Sequence, residues 1–261
     1  MYIRTTFKSK MLMRAVDVRV FLPFHDGYPD TPAPFPTLYF LPGYSANAEE
    51  IVTCLPMRQM SAKYGVAIVI PDGENSFYSD HPERASLHGS FVEKELVDVT
   101  RALFPQLSRR REDTYIGGIS MGGYGAAVHG LHAPGTFSRI LMLSPAIEAD
   151  KLFRPEDDGK EGAVPSSLFD SLLGGAQVYR DSFMNPRKAI ADLKAAGAQI
   201  PGMYMCCGLQ DALVYDACQS FRACLAELNV PLTYVESDGD HTVPYWDGQL
   251  DGCFAFLKRD E

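Results

Sequence analysis

The stretch Thr114-Tyr115-Ile116-Gly117-Gly118-Ile119-Ser120-Met121-Gly122-Gly123-Tyr124-Gly125 opens as a short apolar run and closes as a glycine-rich helical pattern that continues to His132. Its centre, residues 118–122, spells G-x-S-x-G. A chain of this composition yields roughly 0.1 such matches by chance, so the pattern needs its context. That context is a buried strand predicted over 114–118 that runs straight into a helix predicted over 121–132, with Ser120 on the turn between them. A turn so sharp forces the serine into strained backbone angles, and glycines at 118 and 122 remove the Cβ atoms that would collide around it. The hydroxyl is then presented in front of a helix N-terminus, whose unpaired N–H groups and positive dipole end favour developing negative charge.

Apolar runs of the same kind recur at 37–41, 66–70, 140–143, 203–207 and 232–235, and all read as short buried strands. Helical patterns lie between them at 49–64, 91–107 and 213–228, the last with Val214, Ala217, Phe221, Leu225 and Leu228 on one face. This alternation predicts an α/β fold with a mostly parallel central sheet and helices on both sides. The start differs: residues 2–7 and 11–21 alternate in part and are joined by a polar turn at 8–10, which predicts an antiparallel hairpin on one sheet edge. Residues 148–200 are rich in charge, Gly and Pro, with helical pieces only near 167–173 and 186–196. They read as a lid or pocket-lining insertion, with plain surface elaboration as the alternative. Residues 1–261 are expected to form a single domain.

A serine hydroxyl is a poor nucleophile near neutral pH, so it needs a histidine within hydrogen-bond reach and a carboxylate to orient that histidine. In the α/β-hydrolase fold these follow in the order Ser, Asp or Glu, His, each after a later strand. Of the six histidines only His241 comes late enough, just past the strand at 232–235. Asp211 follows the strand at 203–207 and is the expected acid, with a helix-capping role as its bland alternative. Asp238 and Asp240 compete, but their closeness in sequence to His241 hinders a straight carboxylate-to-imidazole bond. One oxyanion donor is expected from the Met121 N–H and a second from the loop Leu41-Pro42-Gly43-Tyr44-Ser45. Pro42 has no N–H, so Tyr44 is the candidate, with Gly43 supplying the turn and standing close to substrate.

Composition narrows the partners. With 46% hydrophobic and 22% charged residues and no repeat or low-complexity tract, the chain is ordinary globular protein. A net charge of -9 argues against nucleic acid and anionic membranes, and the one tight basic cluster, Arg109-Arg110-Arg111, reads as a solvated face. Arg4, Lys8, Lys10, Arg14, Asp17 and Arg19 interrupt the first 22 residues, so neither a secretory signal nor a membrane span is expected and the protein is read as cytoplasmic. The six cysteines show no metal-ligand spacing and are expected to be buried thiols, with no metal and no cofactor.

Taken together, Phe40-Leu41-Pro42-Gly43-Tyr44-Ser45, Pro71-Asp72-Gly73 with Asn75-Ser76-Phe77-Tyr78, Phe91-Val92-Glu93-Lys94-Glu95-Leu96, residues 118–125, Cys207-Gly208 with Asp211, and His241 with Tyr245-Trp246 resemble the esterase D family. That family includes tributyrin esterases, S-formylglutathione hydrolases and cinnamoyl or feruloyl esterases, and the resemblance spans nearly the whole chain. It implies a cofactor-free serine carboxylesterase that works on short-chain acyl or cinnamoyl-type esters, with Ser120, Asp211 and His241 as triad. Two departures stand out. Many relatives have His-Gly where this chain has Pro42-Gly43, and S-formylglutathione hydrolases typically carry histidine where this chain has Ile119, which places it nearer the tributyrin and cinnamoyl branches. Formylglutathione hydrolysis, acyl transfer on the same triad, and a non-catalytic carbohydrate binder using Trp246 and Tyr245 are the alternatives; a homo-oligomer is compatible with the sequence.

Overall fold

The computed structural model describes residues 1–25, 28, 29, 32–153, 155–160 and 164–258. The apolar runs pair into one eight-stranded sheet: β1 (Tyr2–Lys8), β2 (Ala15–Phe21), β3 (Thr37–Leu41), β4 (Ala67–Pro71), β5 (Thr114–Ile119), β6 (Arg139–Leu143), β7 (Gly202–Gly208) and β8 (Thr233–Ser237). Their spatial order is β1-β2-β4-β3-β5-β6-β7-β8. β1 and β2 are antiparallel to their neighbours, and β3 through β8 are mutually parallel, as expected for strands joined by helical crossovers. β3, β4, β5 and β6 are buried at every residue, which is why they read as continuous apolar runs rather than as alternation.

The register decides where chemistry can happen. Leu41 pairs with Gly118, Leu143 with both Ile119 and Cys206, and Gly208 with Ser237. The carboxyl ends of β3, β5, β7 and β8 therefore lie along one edge of the sheet, and the loops leaving them meet there.

Helices cover both faces. They are α1 (Ala48–Cys54), α2 (Met57–Tyr64), α3 (Leu96–Leu103), α4 (Met121–His132), α5 (Ser167–Leu173), α6 (Gly175–Asp181), α7 (Pro186–Ala195), α8 (Tyr215–Glu227) and α9 (Val243–Leu257). The helix expected over 49–64 is two helices, because Leu55 before Pro56 is extended (φ -121°, ψ 142°) and ends the first. The hairpin turn spans 9–14 rather than 8–10; the Glu95 carboxylate holds it by accepting from Ser9 Oγ, Lys10 N–H and Met11 N–H at 2.5, 2.6 and 3.1 Å. α9 escaped the sequence reading altogether.

Residues 148–200 contribute α5, α6 and α7 and pack through aromatic contacts, Phe153 on Phe77 at 5.0 Å and Phe169 on Tyr179 at 5.5 Å. Four cysteines are buried as expected, but Cys54 is exposed and Cys224 half-buried, since each sits near the solvent side of its helix rather than in a strand.

Ahead of α3 the chain forms a π turn, Phe91–Glu95, whose extra residue places Glu93 against α4. Glu93 accepts from His129 Nδ1 at 2.6 Å and His132 Nδ1 at 2.8 Å. Burial opposes the charge on Glu93, yet these two hydrogen bonds outweigh it and hold the carboxyl down at about 2. The same bond raises His132 above its ordinary value against the pull of burial. A depressed carboxyl gives stability that is complete above its ordinary value and lost as pH falls, whereas a raised imidazole gives stability lost as pH rises through its raised value. Glu93→Gln is therefore expected to lose less stability than wild type between pH 4.5 and 2. Denaturant midpoints across that window check this; parallel curves for the two proteins would refute it.

Candidate active site

Ser120 occupies the turn between β5 and α4 with φ 55° and ψ -116°, a conformation that L-residues rarely adopt. Three backbone bonds lock it there: Ser120 N–H donates to Leu143 O at 2.9 Å, and Ser120 O accepts from Tyr124 N–H at 3.0 Å and Ala146 N–H at 3.1 Å. The flanking glycines are needed for close approach. A Cβ on Gly122 would lie 1.9 Å from Leu41 O, and one on Gly118 would lie 2.5 Å from the carbonyl carbon of Gly122. No described side chain caps α4, so its first-turn N–H groups, Met121 among them, remain available beside Ser120.

Asp211 lies in the loop after β7 and is fully buried. Its Oδ1 accepts from Val214 N–H at 3.3 Å and its Oδ2 stands 2.8 Å from His241 Nδ1. One carboxylate thus holds both the turn ahead of α8 and the imidazole, while α8 itself, with Val214 at its N-cap, has no side-chain cap. His241, in the loop after β8, places Nε2 3.0 Å from Ser120 Oγ. The competing acids are engaged elsewhere: Asp240 accepts from the backbone N–H of His241 at 2.7 Å, and Asp238 accepts from Gln210 Nε2 at 3.5 Å.

Trp246, in the first turns of α9, stands edge-on to the His241 ring with centroids 5.1 Å apart, and its Nε1 donates to the buried Ser144 Oγ at 3.1 Å. Ser144 carried no sequence signal; only the meeting of β6 with α9 makes it the anchor that turns the indole toward His241.

Ser120 and His241 open into a cavity of about 230 Å³, walled on its apolar side by Ile51, Leu55, Ile119, Val243 and Trp246 and bordered by Gly43 and Tyr44. Among the described residues that line it, Glu50 is the one acidic side chain and none is Lys or Arg. Among the described residues of 148–200, none lines this cavity. Tyr245 is buried and its side chain does not line the cavity either. A wider, open groove of about 700 Å³ lies beyond Cys54 and Leu55, and neither Ser120 nor His241 lines it.

A buried carboxylate, an imidazole and a strained serine in hydrogen-bond sequence beside a helix N-terminus are suited to acyl transfer. A family model described as "Putative esterase" matches residues 9–257. The chain belongs to this esterase family. It is 32% identical over 223 residues to an acetyl esterase of Caldicellulosiruptor saccharolyticus, a match covering 85% of this chain and 83% of the relative. An S-formylglutathione hydrolase from Staphylococcus aureus superimposes with a TM-score of 0.85 at 25% identity over 98% of each chain. A fluorophosphonate-binding serine hydrolase of the same organism shares the fold, with a TM-score of 0.83 at 24% identity over 100% of this chain and 99% of its own. The chain is thus a carboxylic-ester hydrolase with the α/β-hydrolase fold, in line with its resemblance to the esterase D family. No helix among the described residues is long and apolar enough to cross a membrane.

Proposed function

We propose that this esterase hydrolyses small, uncharged, short-chain acyl esters through an acyl-enzyme on Ser120. The observation that carries the reading is the unbroken hydrogen-bond chain from Asp211 through His241 to Ser120. His241 Nε2 takes the hydroxyl proton as Ser120 Oγ attacks the ester carbonyl, and the ionised Asp211 holds Nδ1–H and steadies the imidazolium. The tetrahedral oxyanion is received by the N–H groups of Met121 and Tyr44. The proton on Nε2 then passes to the departing alkoxide, leaving an acyl-serine. Water attacks that ester by the same route, its proton going to His241 and then back to Ser120 Oγ as the carboxylic acid leaves.

The size and charge of the cavity support the substrate class. About 230 Å³ is below the roughly 300–1,000 Å³ typical of pockets for drug-sized ligands, which favours acetyl to butyryl groups over long or bulky acyl chains. The acetyl esterase relative points the same way. Glu50 and the lack of a lining cation disfavour anionic partners such as glutathione thioesters. Six unpaired thiols support a cytoplasmic setting.

A panel of p-nitrophenyl esters tests the reading. The kcat/KM for acetate and butyrate is expected to exceed that for octanoate by about tenfold or more, with S-formylglutathione slower still. Octanoate or the glutathione thioester as best substrate would overturn the proposed class.

A further inference from the structure

The loop 42–48, which carries the Tyr44 amide, is held in shape by one bond of its own and by three from the segment 72–78. Tyr78 Oη donates to Pro42 O at 2.8 Å, fixing the 42–43 peptide plane by its carbonyl. Ala46 N–H donates to Gly43 O at 3.3 Å, fixing the 43–44 plane. Asn75 Oδ1 accepts from Ser45 N–H at 2.5 Å, fixing the 44–45 plane by its amide. Asp72 Oδ1 then accepts from Ala48 N–H at 2.8 Å, where the loop enters α1. A peptide unit is rigid and trans, so its N–H points opposite to its C=O. Once Gly43 O is turned into the Ala46 bond, the Tyr44 N–H faces the other way. Gly43 packs against the nucleophile, with its would-be Cβ 3.5 Å from Ser120 Cβ.

The propping segment is itself built to stay still. Glu74, Asn75, Phe77 and Tyr78 all have positive φ, at 51°, 52°, 48° and 54°. Tyr78 is fully buried, its ring packs so tightly on α4 that a Cβ on Gly125 would lie 2.4 Å from Cδ2, and its carbonyl accepts from His129 Nε2 at 2.8 Å. Such a residue transmits the position of α4 to the loop opposite it.

We propose that Tyr78 and Asn75 are positioning residues for ester hydrolysis: they clamp the 42–43 and 44–45 peptide planes, which flank the 43–44 unit carrying the Tyr44 amide, so that this amide faces the carbonyl oxygen that becomes the oxyanion. This rests on the Ser120 esterase reading above. Neither side chain touches substrate, so the effect must appear in the transition state and not in substrate binding.

Tyr78→Phe and Asn75→Ala are the test, the first removing one buried hydroxyl and the second an exposed acceptor. Sites are counted with a fluorophosphonate, and kcat and KM for p-nitrophenyl acetate are measured with the inhibition constant of a trifluoromethyl ketone, which forms a tetrahedral oxyanion adduct. Each variant is expected to lose about 10- to 100-fold in kcat per titrated site with KM within about twofold, and the ketone to weaken by the same factor. A merely structural role would lower the titrated fraction and leave kcat per site intact, and that result overturns the inference. So does a fall in kcat without weaker ketone binding. If wild-type protein neither labels nor turns over ester, it is the underlying esterase reading that fails.

Discussion

Ser120→Ala is expected to reduce p-nitrophenyl acetate turnover by about 10⁴- to 10⁶-fold while leaving the fold in place. The loss is large because Ser120 Oγ is the hydroxyl that His241 Nε2 meets, 3.0 Å away. The fold survives because alanine keeps the Cβ that the elbow already accommodates, and the bonds locking residue 120 are made by its backbone to Leu143, Tyr124 and Ala146. Steady-state rates on purified variant, with fluorophosphonate labelling and a thermal melt in parallel, supply the check. A rate within tenfold of wild type in a folded, unlabelled variant would remove Ser120 from the mechanism.

Asp211→Asn is expected to cost about 10⁴-fold in kcat, and the hydrogen-bond inventory around it says why. Val214 N–H donates to Oδ1, so an asparagine at this position must keep its carbonyl oxygen toward Val214 and turn its NH₂ toward His241 Nδ1. Nδ1 then becomes an acceptor and the ring proton moves to Nε2, which can no longer take a proton from Ser120. Asp240→Asn is the natural companion, because that carboxylate meets only the backbone N–H of His241 and should leave kcat within a few-fold of wild type. Comparable losses in both variants would show that the assignment of the acid is wrong.

Much of this was legible in the sequence because its elements are unambiguous at short range. Fully buried parallel strands such as β3 to β6 produce unbroken apolar runs, and all six expected strands lie within one or two residues of their positions in the sheet, although β8, read as buried, is an edge strand with no buried residue. The order of Ser120, Asp211 and His241 followed from which runs preceded them. What stayed hidden depends on encounters between distant segments. α9 carries Pro244, Gly248 and Gly252, residues that weaken any local helical signal, and it is held by burial of Leu250, Cys253, Phe254 and Leu257. The π turn at Phe91–Glu95 exists because Glu93 finds His129 and His132 across 36 and 39 residues. Asn75 and Tyr78 stood in the stretch that carried the family resemblance, but their bonds to Ser45 and Pro42 are between loops and have no spacing rule. Pro56, by contrast, was a readable helix stop that the periodic pattern over 49–64 obscured.

His241 comes from the loop after β8, an edge strand, 121 residues beyond Ser120. Ribosomes add about 5–20 residues per second, so a nascent chain carries Ser120 for roughly 6–24 s before His241 is even made. Through that interval the serine is an ordinary alcohol in a growing polypeptide. On the proposed triad, Ser120 gains its base only once β8 and the loop after it have been made.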